Sequence, residues 1–199
     1  MFNKKILASA ISIVTALSMM GAATFAYFSD IGTSTNNTFS SGTLDLQLSN
    51  DTVTYTDNVT ATFGGTNMAP DGTPVTGTLS LKNNGSIDAN HENITFVNSL
   101  TQSGSLPGND STHPMDMFLQ ITTLTFGGAD ELATLPDSNG NGIKDLDDLE
   151  ISGLSNLTGI TAGNAADLVL DVHLYSTTPD DVQGDSVDTT VTVLMTQAP

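Results

Sequence analysis

From Gly42 onward, apolar residues recur at alternate positions in run after run. Leu44/Leu46/Leu48, Val75/Gly77/Leu79/Leu81, Ile94/Phe96, Met115/Met117/Leu119/Ile121, Leu168/Leu170/Val172/Leu174 and Val187/Thr189/Val191/Val193/Met195 all follow it. In extended backbone, side chains two apart share a face, so each run reads as a strand with one face buried and the other wet. Turn signals separate the runs: Asn50-Asp51, Gly64-Gly65, Pro70-Asp71-Gly72, Asn83-Asn84-Gly85, Pro107-Gly108-Asn109-Asp110, Gly127-Gly128 and Pro179-Asp180-Asp181. Helical periodicity is confined to Asp145–Leu154 and, more weakly, Ala129–Leu135. The pattern predicts an all-β fold, an antiparallel β-sandwich of jelly-roll type with one or two short helices in its loops. Neither an internal repeat nor a linker divides 42–199, which is expected to be a single domain.

The start of the chain follows a different rule. Lys4-Lys5, an apolar run from Ile6 to about Gly21, and small residues ending in Ala23-Thr24-Phe25-Ala26 have the three-part layout of a secretory signal peptide, residues 1–26. A retained membrane anchor and a pilin-type leader are the alternatives. Against an anchor, the run is short for a span and carries Ser9, Ser12, Thr15 and Ser18. Residues 27–41 hold a second apolar group, Tyr27, Phe28 and Ile31, and then a connector rich in Asn and Thr with no helical period. That group has no obvious apolar partner nearby in sequence.

Charge narrows the choice of partners. The 199 residues contain four Lys and Arg against 22 Asp and Glu, a formal net charge of −18. Lys4 and Lys5 lie in the leader, so a chain cut after Ala26 keeps two cations and all 22 acids, a balance of −20. Such a surface repels phosphate backbones and anionic lipid, and the mature chain is expected to bind neither nucleic acid nor membrane. It favours cations and solubility. With no cysteine, the fold has no disulfide or thiolate metal site to rely on, leaving packing, ions or assembly.

The sharpest chemical motif is Asp137-Ser138-Asn139-Gly140-Asn141-Gly142-Ile143-Lys144-Asp145-Leu146-Asp147-Asp148. Oxygen-bearing side chains stand at loop positions 1, 3, 5, 9 and 12 with glycine at 6, the spacing by which a 12-residue loop wraps Ca²⁺. Asp137, Asn139, Asn141 and Asp148 are the expected side-chain ligands, Ile143 offers its carbonyl, and Asp145 acts directly or through water. The loop resembles those of dockerins and thrombospondin type 3 repeats, in which Asp also closes the loop. Two neutral Asn ligands point to modest affinity, with Kd about 10⁻⁴–10⁻³ M. The plainer alternative is an Asn-Gly-rich surface turn.

Three blocks in order resemble the TasA/camelysin group of secreted matrix proteins. They are Ala26-Tyr27-Phe28-Ser29-Asp30 leading to Phe39-Ser40-Ser41-Gly42-Thr43-Leu44-Asp45-Leu46, then Thr78–Asp88 with its Asn84-Gly85-Ser86-Ile87-Asp88 turn, and the closing run Asp188–Leu194. The resemblance implies a structural subunit of an extracellular filament or biofilm matrix. It polymerises with itself when the mature N-terminal strand, here Tyr27, Phe28 and Ile31, inserts into the next subunit. A monomeric, calcium-stabilised adhesion module at the cell surface is the alternative. Camelysin-like proteins are also described as metallopeptidases, yet His91-Glu92-Asn93-Ile94-Thr95 lacks the second His of His-Glu-x-x-His, and His113 and His173 are remote in sequence. With no Gly-x-Ser-x-Gly elbow, cysteine nucleophile or phosphate loop either, the chain is expected not to be an enzyme.

Overall fold

The computed structural model describes residues 3–22, 40–60, 63–102 and 114–197. Contacts divide the chain into two units, Met1–Ser40 and Ser41–Pro199. In the first, the apolar run forms helix α1, Lys4–Ala22. Ile6, Leu7, Ile11, Ile13, Val14 and Leu17 are all exposed. Its hydroxyls bond back to the preceding turn, as in Ser12 Oγ to the Ala8 carbonyl at 3.0 Å and Thr15 Oγ1 to the Ile11 carbonyl at 2.8 Å, which hides polar groups within an apolar helix. No helix among the described residues is long and apolar enough to cross a membrane. The expected cleavage point at Ala26 and the Tyr27, Phe28 and Ile31 group lie outside the described residues.

The second unit is an antiparallel β-sandwich. One sheet holds β1 (Leu46–Ser49), β2 (Val75–Asn83), β7 (Ala165–Leu174), β4 (Leu119–Phe126) and β5 (Ala129–Asp130), in that order. The other holds β6 (Leu154–Thr158), β3 (His91–Thr101) and β8 (Ser186–Thr196). Helix α2, Leu146–Ser152, and two 3₁₀ turns, Met115–Phe118 and Asp180–Val182, complete the elements. The alternating runs face inward as their period requires. Leu79, Leu81, Ile94, Phe96, Leu124, Phe126, Leu168 and Leu170 form one core between the sheets, and Leu149 of α2 is fully buried against it.

Three elements depart from the periodicity. Ala129–Leu135, expected to be helical, is instead the two-residue strand β5 and a turn, because the Asp130 carboxylate accepts the Leu132 amide at 3.0 Å and closes the chain locally. Met115–Phe118 winds as a 3₁₀ turn ahead of β4, so only Leu119 onward is strand. Strand β6 was not anticipated: only Leu154 and Leu157 are buried, and Asn156 has a φ of 56°, which interrupts the alternation.

The strand order shows which edges are unpaired among the described residues. A jelly roll sets its roughly eight strands in two sheets, with the first strand beside the last. Here β1, β2, β7, β4 and β5 make a sheet of five, while β6, β3 and β8 make three. Among the described residues no strand flanks the far side of β8, and β1, the first strand, lies on the outer edge of β2 instead.

Candidate functional site

The 137–148 loop is built around the start of α2. Asp145 is the N-cap, its carboxylate accepting the Asp148 amide at 3.0 Å, while Asp148 Oδ2 accepts the Asp145 amide at 3.2 Å, a reciprocal capping box. Asp148 Oδ1 also accepts the Ser138 amide at 2.6 Å and the Asn139 amide at 3.2 Å, which ties the loop's two ends together. Asp137 closes its own turn through the amides of Gly140 at 2.8 Å, Asn141 at 3.1 Å and Gly142 at 3.0 Å. That turn needs positive φ at Gly140 (73°) and Gly142 (89°), where a Cβ would strain the backbone. The Ile143 side chain is buried beneath the loop.

The loop thus brings together Asn139, Asn141, Asp145 and Asp148. The Asn139 amide group lies 3.3 Å from both Asp145 oxygens and 3.0 Å from Asp147 Oδ2, and that of Asn141 lies 2.7 Å from Asp145 Oδ2. Asp137 is engaged with the turn's amides rather than with these side chains. Burial raises the Asp145 pKa to about 6, partly offset by the hydrogen bonds it accepts from Asp148, Asn141 and Asn139, with the charge of Asp148 adding to the rise. A divalent cation would relieve this cost by favouring the ionised carboxylate. Asn139 Oδ1 accepts the Asn141 amide at 3.1 Å and Asn141 Oδ1 the Ile143 amide at 2.9 Å, so both side chains would have to turn over to offer a cation an all-oxygen set.

A second acidic group adjoins the loop. One carboxylate oxygen each from Asp116, Asp147 and Glu150 lie within 4.8 Å of one another. Asp116 is only 3% exposed, and burial, followed by the charge of Asp147, raises its pKa. Sequence reading missed this cluster because Asp116 comes from the distant 3₁₀ turn. The three-residue spacing of Asp147 and Glu150 on one helical face was the available signal.

The two described histidines, His91 and His173, do not form a metal centre with these groups. His91 on β3 and His173 on β7 belong to different sheets and alternate with the inward-facing Glu92 and Leu174, so they point to opposite outer faces of the sandwich. His173 Nε2 is 2.8 Å from Gln120 Oε1, and His113 lies outside the described residues. Catalytic zinc takes three protein ligands, usually rich in His, around an open position. The described residues do not fit that requirement, and their one cluster within metal reach is entirely carboxylate.

The open side of β8 borders an apolar groove of about 850 Å³ between the sheets. Leu48, Leu79 and Leu170 line it from one sheet, and Phe96, Val187 and Val191 from the other. The inward residues of β8 are only half-buried along its length, whereas their neighbours Ile94 and Phe96 on β3 are 0% and 3% exposed. Leu146 of α2 and Met115 also line the groove, so the 137–148 loop stands behind its wall.

The chain was also compared with known proteins. A family model described as camelysin metallo-endopeptidase matches residues 1–198. No curated protein matches it.

Proposed function

The chain belongs to the camelysin metallo-endopeptidase family, and from that premise we propose that it is a secreted structural subunit of an extracellular fibre, homopolymerising by strand donation. The observation that supports this reading is that, among the described residues, β8 is an edge strand with no neighbour on its far side, beside an apolar groove. An added strand would pair with the β8 backbone and set alternate side chains into the groove. The proposed occupant is the mature N-terminal segment of another copy, with Tyr27, Phe28 and Ile31 as its anchors. Each would contribute about 1.5–3 kcal/mol on burial, before the cost of ordering the segment. Such contacts between unlike surfaces do not close on themselves, so they generate filaments.

The same reading includes Ca²⁺ at Asp137, Asn139, Asn141, the Ile143 carbonyl, Asp145 and Asp148. The loop spacing, the acid-rich surroundings and the burial of Asp145 support it. Peptidase activity, which the family description carries, finds no support in the described histidines. The mature protein should form threads under the electron microscope, and deletion of Tyr27–Ile31 should leave a folded β monomer that forms none. If the truncated chain polymerises as readily, strand donation is wrong. Truncated monomers that bind glycans or cell surfaces would favour the adhesion alternative.

A further inference from the structure

We infer that the 137–148 loop modifies itself: Asn139 and Asn141 cyclise onto the glycines that follow them and lose ammonia, leaving acids at two of the loop's neutral positions. The chemistry stands on the loop's own geometry. Its consequence, a loop that needs a cation to stay closed, rests on the calcium reading above.

The sequence contains three Asn-Gly pairs, Asn84-Gly85, Asn139-Gly140 and Asn141-Gly142. Glycine after asparagine leaves the peptide nitrogen unshielded by a side chain and free in φ, so it is the neighbour that best lets that nitrogen reach the asparagine Cγ. In the step itself the glycine nitrogen bonds to Cγ, the bond from Cγ to Nδ2 breaks, and the peptide proton leaves with Nδ2 as ammonia. Water then opens the succinimide ring at either carbonyl, giving aspartate or the isomer whose chain runs through the side chain. Water is the only co-reactant.

The structure separates the three pairs. Asn141 Oδ1 accepts the Ile143 amide at 2.9 Å and Asn139 Oδ1 the Asn141 amide at 3.1 Å, so each side chain already folds back over the peptide of its own glycine. Gly140 and Gly142 are exposed, and beyond their chain neighbours no atom lies within 4 Å of where a Cβ would stand, which leaves room for the ring and for water. One group restrains both: Asp137 Oδ1 holds the Gly140 amide at 2.8 Å and Oδ2 holds the Gly142 amide at 3.0 Å, and Asp137 is itself exposed. Asn84 differs. Its amide turns away to Asp45 Oδ2 at 2.9 Å, while Gly85 packs against the backbone of residues 43–45 and donates its N–H to Asn83 Oδ1 at 3.0 Å. Within the loop, Asn141 is exposed and Asn139 half-buried with its amide on Asp145 and Asp147, so Asn141 reacts first.

The product changes what the loop can do. Asn141 Nδ2 donates to Asp145 Oδ2 at 2.7 Å and Asn139 Nδ2 to Asp147 Oδ2 at 3.0 Å, bonds by which the amides close the loop without an ion. An oxygen in place of each nitrogen turns both bonds into repulsion between carboxylates. It also sets an oxygen toward Asp145 and Asp147 without either side chain turning over, and adds the charge that tightens a hard-cation site.

Mature protein held without divalent cations in warm, mildly alkaline buffer should show, by peptide mass mapping, the amide-to-acid change at Asn141 and then at Asn139, with Asn84 intact. Asp137→Ala should speed both loop sites severalfold and leave Asn84 unchanged, so that Asn84 reports whether the variant stays folded. Loop amides that survive in both proteins, or that change no faster than Asn84, overturn the inference. For the consequence, Asn139→Asp/Asn141→Asp protein is set beside the unaged parent in calorimetry and thermal melting. It should bind Ca²⁺ severalfold more tightly, and melt lower than the parent without Ca²⁺ but not with it. Equal affinities and equal melts overturn the cation dependence. Ca²⁺ binding by neither protein would end the calcium reading and the cation dependence with it, while the mass change at Asn141 and Asn139 would still establish the modification.

Discussion

At the residue scale, two buried carboxylates with raised pKa values set expectations for pH. Glu92 is fully buried, gives one oxygen to the Ile160 amide and has no partner for the other among the described residues. Burial raises its pKa above the ordinary 4.5. The folded state therefore holds this proton more tightly than the unfolded chain, and the stability it contributes is full below about 4.5 and lost as pH rises through the folded value. Glu92→Gln keeps an acceptor for Ile160 and cannot ionise, so its melting temperature should match the parent in acid and exceed it at neutral pH. A difference that stays constant across the titration would contradict this account. For Asp145, raised from 3.8 to about 6, the same sign holds without metal: stability falls as pH rises across that window. Ca²⁺ requires the ionised form, so its affinity should climb with pH through about 6, measurable by calorimetry. Affinity independent of pH there would take Asp145 out of the ligand set.

Among the elements, two of the segments singled out in sequence as a family resemblance meet in space. Gly42–Leu46 docks on the 83–87 turn, and the closing run lies in β8, an edge strand among the described residues. Gly85 makes the docking possible, since a Cβ there would overlap the Thr43 carbonyl oxygen. Gly85→Ala should detach the root of the N-terminal segment while leaving the Leu81/Ile94/Leu168 core intact. We expect a cooperative melt lowered by about 1–3 kcal/mol equivalent and much slower fibre growth, read by circular dichroism and light scattering. Unchanged growth would mean the root does not steer donation. The long strands were legible because period-two alternation directly encodes a buried face, and α2 was legible from the helical period over Asp145–Leu154, although the helix stops at Ser152 and Leu154 already belongs to β6. β5, β6 and the Asp116 cluster were not. A two-residue strand has no period, Asn156 breaks the alternation of β6, and nothing local joins Asp116 to Asp147 and Glu150. That β8 is an edge strand among the described residues was equally hidden, because it depends on strand order rather than on any run of residues.

For the whole molecule, the proposed fibre raises the question of how a chain of formal charge −18 would bring copies together. Each contact sets two acidic surfaces at distances comparable to the Debye length, about 8 Å at physiological ionic strength, so repulsion opposes growth. Added NaCl screens this in general, whereas bound Ca²⁺ neutralises charge at the loop and should act at far lower concentration. Hydrogen bonds give the loop a second route to the groove. Asn141 Nδ2 donates to the Met117 carbonyl at 3.1 Å; Asn98 Nδ2 donates to the Leu146 carbonyl at 3.0 Å; and the Thr189 hydroxyl of β8 donates to Asn98 Oδ1 at 2.8 Å. Leu146, Met115 and Thr189 all line the groove. Ordering the loop would therefore fix the wall that the donated strand meets. Calcium should accelerate scattering growth of the mature protein, and Asp137→Ala/Asp148→Ala should move the midpoint to much higher concentration. Asn98→Ala separates the two routes, since it leaves every loop oxygen in place but cuts the path to β8. If the path matters, this variant should bind Ca²⁺ with unchanged affinity yet lose most of the acceleration. Acceleration equal to the parent's would show that calcium acts on assembly through charge alone.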